Sequence, residues 1–342
     1  MRILLGMSGG VDSAYAAKKL MNEGHSVEGA ILVMHEHTEL LPAREAAASL
    51  NIPLHEIDCR KRFDSIVKEN FVREYAAART PNPCIICNER VKMAVLSEHA
   101  IAHGFDRIAT GHYARVGVSG EGDGKRYFVM TAEDSTKDQS YMLYRLSQDI
   151  LSRLVLPLSD ITKQDVRRDA REASIPSAER KDSQEICFLP DGGHAEFIEK
   201  RIGSFPEGDF IDSDGNVLGR HKGIIRYTVG QRKGLGIALG ARAFVTEINP
   251  MKNTVTLSTE MTGKSSIKLT DLVFSGICAP AEEKMLTAEV KIRYKAPLVK
   301  AKITIFPDNT ATLALSEPVK PAPGQSAVVY CDGRVLFGGF IE

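Results

Sequence analysis

The residues that point most directly to chemistry form a glycine- and serine-rich loop near the start of the chain. The apolar run Ile3–Leu5 precedes this loop, and a helix-like stretch from Ala14 to Asn22 follows it. A strand, a glycine-rich loop and a helix N-terminus in this order direct unpaired N–H groups and the positive end of the helix dipole at one point. The pattern therefore predicts a phosphate-binding site, formed by Gly6, Met7, Ser8, Gly9, Gly10, Val11, Asp12 and Ser13.

The order of residues in this loop indicates which class of nucleotide-binding protein it resembles. It lacks the lysine of Walker-type ATPases and does not have the G-x-G-x-x-G spacing of dinucleotide-binding folds. The string S-G-G-V-D-S resembles the PP-loop of ATP pyrophosphatases, which cleave ATP between the α- and β-phosphates and adenylate a carbonyl oxygen. The resemblance implies AMP and pyrophosphate as products.

Cysteines form the second set of reactive groups. Cys84 and Cys87 follow two prolines, which places them at or near a helix N-terminus, where a thiol pKa is lowered. Cys187 is a third candidate, and no second C-x-x-C or H-x-x-x-H completes a zinc site. The remaining cysteines lie in apolar contexts and are predicted to be buried and inert; they are Cys59, Cys278 and Cys331.

The elements that must position these groups change along the chain. Strand and helix patterns alternate in the first part, which predicts an α/β domain with a parallel sheet and ligands at the strand carboxyl ends. After Gly203 short β-rich runs with turn residues take over, ending in a hairpin around Asp332-Gly333. We predict domains at residues 1–202, 203–265 and 266–342, the second a small β domain and the third a β-barrel.

Composition sets further bounds. The 342 residues carry 44 basic and 44 acidic side chains, so net charge does not indicate a nucleic-acid partner. Between Arg220 and Lys233, however, five basic residues occur without an acidic one, which predicts a local polyanion-binding surface. No apolar run of membrane-spanning length occurs and no signal peptide is evident, so we expect a cytoplasmic protein without membrane contact.

Several further motifs, in chain order, resemble the bacterial tRNA-specific 2-thiouridylases. They extend over essentially the whole chain, and their conjunction and order are more specific than any one alone. After the PP-loop these motifs are N-P-C-x-x-C-N, A-T-G-H-Y-A-R, K-D-Q-S-Y, D-S-Q-E-I-C-F, H-K-G-x-x-x-Y-T-V-G-Q-R-K-G-L-G and K-x-R-Y. The family fold implied is a PP-loop domain of the adenine-nucleotide α-hydrolase type followed by two β domains.

The resemblance implies a reaction and its participants. ATP, with Mg²⁺, adenylates the C2 carbonyl oxygen of the wobble uridine 34 of certain tRNAs, a cysteine persulfide delivers sulfur, and AMP leaves. A cysteine desulfurase or a sulfur-relay protein supplies the sulfur, and the enzyme acts as a monomer on the anticodon arm.

Residue roles carry over with the motifs. Leu32 and Gly111 complete the ATP pocket, Cys87 is the nucleophile, and Cys187 carries the persulfide and forms a transient disulfide with Cys87. Positions that contact tRNA are Asn82, Pro83, Cys84, His112, Lys137, Asp138, Gln139, Arg293, Tyr294 and Gln325. The tripeptide Asn82-Pro83-Cys84 takes the place of the one that faces the target base.

Cys84 departs from the family pattern, in which an aspartate at this position is proposed as a general acid/base. Thiols titrate near 8.5 and are poor substitutes for that role. Two interpretations stay open: Cys84 is a spare thiol, or Cys84, Cys87 and Cys187 hold a [4Fe–4S] cluster.

Two rival functions also stay open. One is a PP-loop amide ligase that passes the adenylate to an amine, for which Cys87 and Cys187 would be dispensable. The other is an RNA-binding protein with a degenerate nucleotide fold, against which the intact loop argues.

Overall fold

The computed structural model describes residues 1–173, 175–176, 186–190, 193–237, 242–260 and 262–342. Part of the predicted D-S-Q-E-I-C-F motif, residues 182–185, lies outside the described residues. The strands are β1 Arg2–Gly6, β2 Ser26–Val33, β3 Leu54–Asp58, β4 Arg107–Thr110, β5 Arg115–Ser119, β6 Arg126–Met130, β7 Leu154–Val155, β8 Gly208–Ile211, β9 Val217–His221, β10 Phe244–Asn249, β11 Thr254–Ser258, β12 Lys264–Phe274, β13 Lys284–Lys291, β14 Val299–Ile305, β15 Ala311–Val319, β16 Ser326–Cys331 and β17 Arg334–Ile341.

Helices occur almost entirely in the first part of the chain. Those with α-helical hydrogen bonding are α1 Val11–Asn22, α2 Leu41–Ser49, α3 Arg60–Phe63, α4 Glu69–Ala76, α5 Pro83–Cys87, α6 Met93–Ala102, α7 Gln148–Arg153, α8 Lys163–Glu172 and α9 Gly193–Ile202. A π-turn, Asp64–Lys68, joins α3 to α4, and a second, Asn88–Lys92, joins α5 to α6. The chain is therefore helical from Arg60 to Ala76 and from Pro83 to Ala102, and each helical stretch is interrupted where its hydrogen bonding widens.

A five-stranded parallel sheet, ordered β3-β2-β1-β4-β7, forms the centre of the first domain. Its middle strand carries the apolar run Ile3–Leu5, whose side chains are fully buried on both faces of the sheet. Burial on both faces is what a parallel sheet covered by helices requires, and it explains a continuous rather than alternating apolar pattern. The predicted α/β fold is confirmed, with the glycine-rich loop at the carboxyl end of β1.

The two β regions also form as predicted. A small sheet, ordered β10-β11-β8-β9, contains a hairpin in which Val245 pairs with Leu257. The last six strands run β12-β15-β14-β13-β16-β17, and pairing of β12 with β17 closes them into a barrel. The hairpin β5–β6 of the first domain extends this barrel, because Met130 of β6 pairs with Arg334 of β17.

Two of the three cysteines predicted to be inert are not buried. Cys59 is buried, and desolvation raises the pKa of its thiol to about 11. Cys278 and Cys331 are exposed, so the prediction is wrong for both. Cys278 lies beyond the end of β12, and Cys331 ends β16 at the turn to β17. An apolar sequence context did not predict burial there because both residues lie where the chain leaves the barrel wall.

Candidate functional site

The glycine-rich loop closes on itself through Ser13. The Ser8 backbone N–H donates to Ser13 Oγ at 3.2 Å, and Ser13 Oγ donates to the Gly10 carbonyl at 3.0 Å. No side chain caps the N-terminus of α1. Its first N–H groups therefore remain available for an anion, at the positive end of the helix dipole.

Glycines at this site allow close backbone approach. Gly9 has φ of +76°, and a Cβ there would lie 2.6 Å from Pro42 Cβ. A Cβ on Gly111 would lie 2.9 Å from the backbone nitrogen of Ser13. The loop is thus enclosed between α2 and the segment after β4, so the structure brings Gly111 to the loop.

A lysine that the sequence analysis missed lies beside this loop. Lys163 Nζ contacts Asp12 Oδ1 at 2.7 Å and Oδ2 at 2.6 Å, and Tyr113 OH donates to the same Oδ1 at 2.7 Å. Lys163 is the first residue of α8, whose N-cap residue Thr162 accepts a side-chain hydrogen bond from the Asp165 N–H. A buried cation at a helix N-terminus opposes the helix dipole. A lysine directly after an N-cap threonine is therefore unfavourable for the helix itself, and this was the signal in the sequence that Lys163 has another role.

Leu32 and the residues after β2 link the loop to the cysteines. Leu32 is buried in the same apolar cluster as Cys87. Two residues further on, Met34 Sδ accepts a contact from Cys87 Sγ at 3.8 Å.

The cysteine helix begins at Pro83, as the two prolines predicted, and leaves Cys84 exposed. Cys87, three residues later, packs in an apolar cluster and is only 5% exposed. Burial raises the pKa of the Cys87 thiol to about 12, although the charge of Lys92 acts to lower it. At Cys87, therefore, desolvation outweighs any lowering of the thiol pKa by the helix N-terminus.

Aromatic packing anchors the segment that carries Cys187. The adjacent Phe188 is buried, with its ring centroid 5.6 Å from Phe63, 5.3 Å from Phe71 and 5.1 Å from Phe197. Cys187 itself is exposed. Desolvation raises the pKa of its thiol, and the charge of Lys92 lowers it.

The described residues do not present a cluster-binding arrangement. Among them no three cysteine, histidine or carboxylate side chains are grouped as a metal ion would require. All three thiols, Cys84, Cys87 and Cys187, raise the pKa of Lys92, and Cys84 and Cys187 also raise the pKa of Cys87. Near the loop, the Asp12 carboxylate is already bound by Lys163 and Tyr113, so it is not arranged to hold Mg²⁺.

The motif residues after β4 and β6 stabilise the chain around the site. His112 Nδ1 lies 2.8 Å from Thr110 Oγ1, and desolvation together with Lys92 lowers the His112 pKa to about 3. Gln139 Oε1 accepts from the Tyr113 N–H at 2.9 Å. Asp138 is buried, and its Oδ1 accepts from the Ala132 and Ser140 backbone N–H groups. Lys137 lies half-buried beside it.

The barrel is attached to the loop that precedes the cysteine helix. Gln325 Nε2 donates to the Thr80 carbonyl at 2.8 Å, and the Thr80 N–H donates to the Pro323 carbonyl at 2.7 Å. Arg293 Nη2 donates to the Lys320 carbonyl at 3.0 Å, and the Tyr294 ring lies 6.1 Å from that of Tyr141. The structure therefore brings Gln325 next to Asn82-Pro83-Cys84, on the opposite side of the domain boundary.

Arg145 is a second residue that the sequence analysis missed. Its Nε donates to Glu89 Oε2 at 2.8 Å, and its Nη2 donates to Asp271 Oδ2 at 2.9 Å, with its side chain only 3% exposed. Glu89 belongs to the π-turn after the cysteine helix, and Asp271 belongs to β12. Arg145 thus connects the barrel to the cysteine site, a contact between residues too distant in sequence to be predicted.

The basic run Arg220–Lys233 is less uniformly basic in three dimensions. Arg220 pairs with Asp209 at 2.8 Å, and Arg226 Nη2 contacts both oxygens of Glu199 at 2.7 Å. Exposed members without an ion pair to any described carboxylate are Lys222, Arg232 and Lys233. The polyanion-binding surface is therefore smaller than the sequence predicted, because acids from other elements neutralise part of it.

In the described part of the chain no helix is long and apolar enough to cross a bilayer. Residues 1–191 match the family described as "tRNA methyl transferase HUP domain", residues 195–259 "tRNA methyl transferase PRC-barrel domain", and residues 264–341 "Aminomethyltransferase beta-barrel domain".

Full-length relatives carry a different activity in their names. The chain is 41% identical to the tRNA-specific 2-thiouridylase MnmA of Treponema denticola, with 100% of this chain and 98% of the relative covered. Enzymes of the same name from Caldicellulosiruptor saccharolyticus and from Clostridium botulinum strain Alaska E43 are 39% and 38% identical, again over 100% of this chain and 98% of each relative.

Proposed function

This chain belongs to the tRNA-specific 2-thiouridylase family, and from that premise we propose how its own residues perform the reaction. It is a sulfurtransferase that converts a tRNA uridine to 2-thiouridine with ATP. The observation that supports the assignment of residues is that Cys187 lies close enough to Cys87, one hundred positions earlier, to raise the pKa of the Cys87 thiol. An amide ligase has no use for such a pair of thiols, so thiolation is favoured over that rival.

The first step uses the loop Gly6–Ser13. The free N–H groups of α1 and the loop bind the ATP phosphates, while the Lys163 ammonium, held by Asp12, lies ready to contact them. The C2 carbonyl oxygen of the wobble uridine 34 attacks the α-phosphorus, pyrophosphate leaves, and C2 carries an O–AMP group.

The second step uses the two thiols. The terminal sulfur of a Cys187 persulfide bonds to C2, and AMP leaves with the former carbonyl oxygen. The Cys87 thiolate then attacks Cys187 Sγ, the S–S bond to the C2-bound sulfur breaks, and its electron pair forms the thiocarbonyl. A Cys87–Cys187 disulfide remains, which an external dithiol reduces.

The partners follow from this sequence of events. A cysteine desulfurase or a sulfur-relay protein loads the exposed Cys187, and the enzyme acts as a monomer in the cytoplasm. The barrel, residues 266–342, and the exposed cations of the middle domain, residues 203–265, bind the anticodon arm, with Arg293 and Tyr294 near a splayed loop nucleotide.

We expect Arg232→Glu combined with Lys233→Glu to weaken tRNA binding. The slope of log affinity against log salt concentration should become shallower by about one for each phosphate contact that is lost. Salt titrations of tRNA affinity measure both quantities. Arg226→Glu is a contrasting variant, because it breaks the ion pair with Glu199 and should lower stability. Unchanged affinity and salt slope in the double variant would disprove tRNA contact at this surface.

A further experiment decides the role of Cys84. If Cys84 is a spare thiol, Cys84→Asp and Cys84→Ser retain thiolation, and protein prepared free of iron is fully active with ATP, tRNA and a persulfide donor. We expect this result, because among the described residues no three cysteine, histidine or carboxylate side chains are grouped to hold a metal ion. Loss of activity in Cys84→Ser together with loss of iron and of a brown chromophore in anaerobic protein would establish the cluster instead.

A further inference from the structure

The two long helices beside the site each contain one π-turn, and each π-turn ends at a lysine. π-turns inside helices frequently occur at functional sites. Lys68 closes the first and contacts Asp64 at 3.4 Å and Glu36 at 3.9 Å. Lys92 closes the second and is half-buried, yet it makes no ion pair with a carboxylate of the described chain.

The π-turn changes which way Lys92 faces. In a regular α-helix a residue five positions after Cys87 is rotated by about 140° from it. Here the Met93 N–H donates to the Asn88 carbonyl, an i→i+5 bond that widens the turn. A wider turn returns the fifth residue towards the starting face, so Lys92 comes back to the side of the helix that carries Cys87.

The pKa shifts of Lys92 and of the groups around it agree with this placement. Burial lowers the pKa of Lys92, but the Cys87, Cys84 and Cys187 thiolates raise it overall. The Lys92 charge in turn lowers the pKa of Cys87, Cys187 and His112. These groups come from α5, from the segment 186–190 and from the segment that follows β4, so Lys92 lies where these three parts of the site meet. Cys59 also faces Cys87 and raises its pKa.

We propose that Lys92 is the cation that stabilises the Cys87 thiolate in its attack on Cys187 Sγ, which rests on the proposed thiolation mechanism. Cys87 releases its thiol proton to water, and Lys92 stays an ammonium throughout. A thiolate in an apolar pocket needs a nearby positive charge. The helix N-terminus does not supply enough here, and among the described cations Lys92 lowers the pKa of Cys87, whereas Lys68 acts on Cys187.

The test measures the thiol without tRNA or ATP, so it does not depend on the overall reaction. Iodoacetamide alkylation of full-length protein across a pH series, resolved to Cys87 by peptide mass spectrometry, reports the thiolate fraction. We expect Lys92→Met to slow Cys87 alkylation about tenfold or more at a given pH, since one pKa unit is tenfold in thiolate. Lys92→Arg, which keeps the charge, and Lys61→Met, an exposed lysine outside the site, should match the wild type.

An unchanged Cys87 profile in a folded Lys92→Met protein would overturn the proposal, as would equal slowing in the Lys61→Met control. Lys92→Gln replaces the methionine variant if that protein does not keep the wild-type urea midpoint. Should wild-type protein fail to thiolate tRNA while the alkylation shift is present, the proposed function fails and the role of Lys92 in ionising the thiol stands.

Discussion

We expect Cys87→Ser and Cys187→Ser each to lower thiolation by at least about three orders of magnitude, the scale seen when an enzyme loses its nucleophile. Cys187 must carry the persulfide sulfur, and the Cys87 thiolate must break the S–S bond so that this sulfur stays on the uridine. A serine hydroxyl can neither carry a persulfide nor attack the S–S bond. Both variants should bind tRNA and unfold at the wild-type midpoint. Thiolated nucleoside, quantified by mass spectrometry after tRNA digestion, measures the effect.

The control for these variants is Cys278→Ser, an exposed cysteine outside the site, which should be fully active. After one turnover without reductant, peptide mapping should recover a Cys87–Cys187 disulfide. Recovery of both thiols in free form after such a turnover would rule out the proposed relay, and full activity of either serine variant would revive the amide-ligase alternative.

The second large effect is expected at the loop. Lys163→Met and Asp12→Ala should each lower ATP–pyrophosphate exchange about 10²- to 10³-fold, the cost of removing one group that stabilises developing transition-state charge. Lys163 supplies that charge, and Asp12 holds it at the loop through two contacts of 2.6 and 2.7 Å. Ser13→Ala should also impair exchange, because Ser13 Oγ closes the loop.

Asp169→Asn is the matched control, because this carboxylate lies further along α8 and binds Tyr15 OH at 2.9 Å, away from the loop. It should exchange pyrophosphate at the wild-type rate. Release of ADP and phosphate by the wild type would contradict the PP-loop assignment. Unchanged pyrophosphate exchange in Lys163→Met would show that Lys163 holds Asp12 in place but does not act on ATP.

The sequence determined the parts of this protein that depend on local order. Uninterrupted apolar runs such as Ile3–Leu5 indicated a parallel sheet, because only strands buried on both faces lack polar alternation. The prolines before Cys84 placed a helix start, since proline fits the first turn of a helix and disfavours helix before it. The string from Gly6 to Ser13 indicated a phosphate loop, because strand, glycine loop and helix start are contiguous in the chain.

Only the tertiary structure decided properties that depend on distant groups. Burial against Met34 raised the pKa of Cys87 above the value its helix position suggested. Glu199 neutralised Arg226 within a run that looks purely basic in sequence. Lys163 reached the loop from a position 151 residues after Asp12. Desolvation and ion pairing depend on which side chains the fold brings within a few ångströms, and sequence order does not specify those distances.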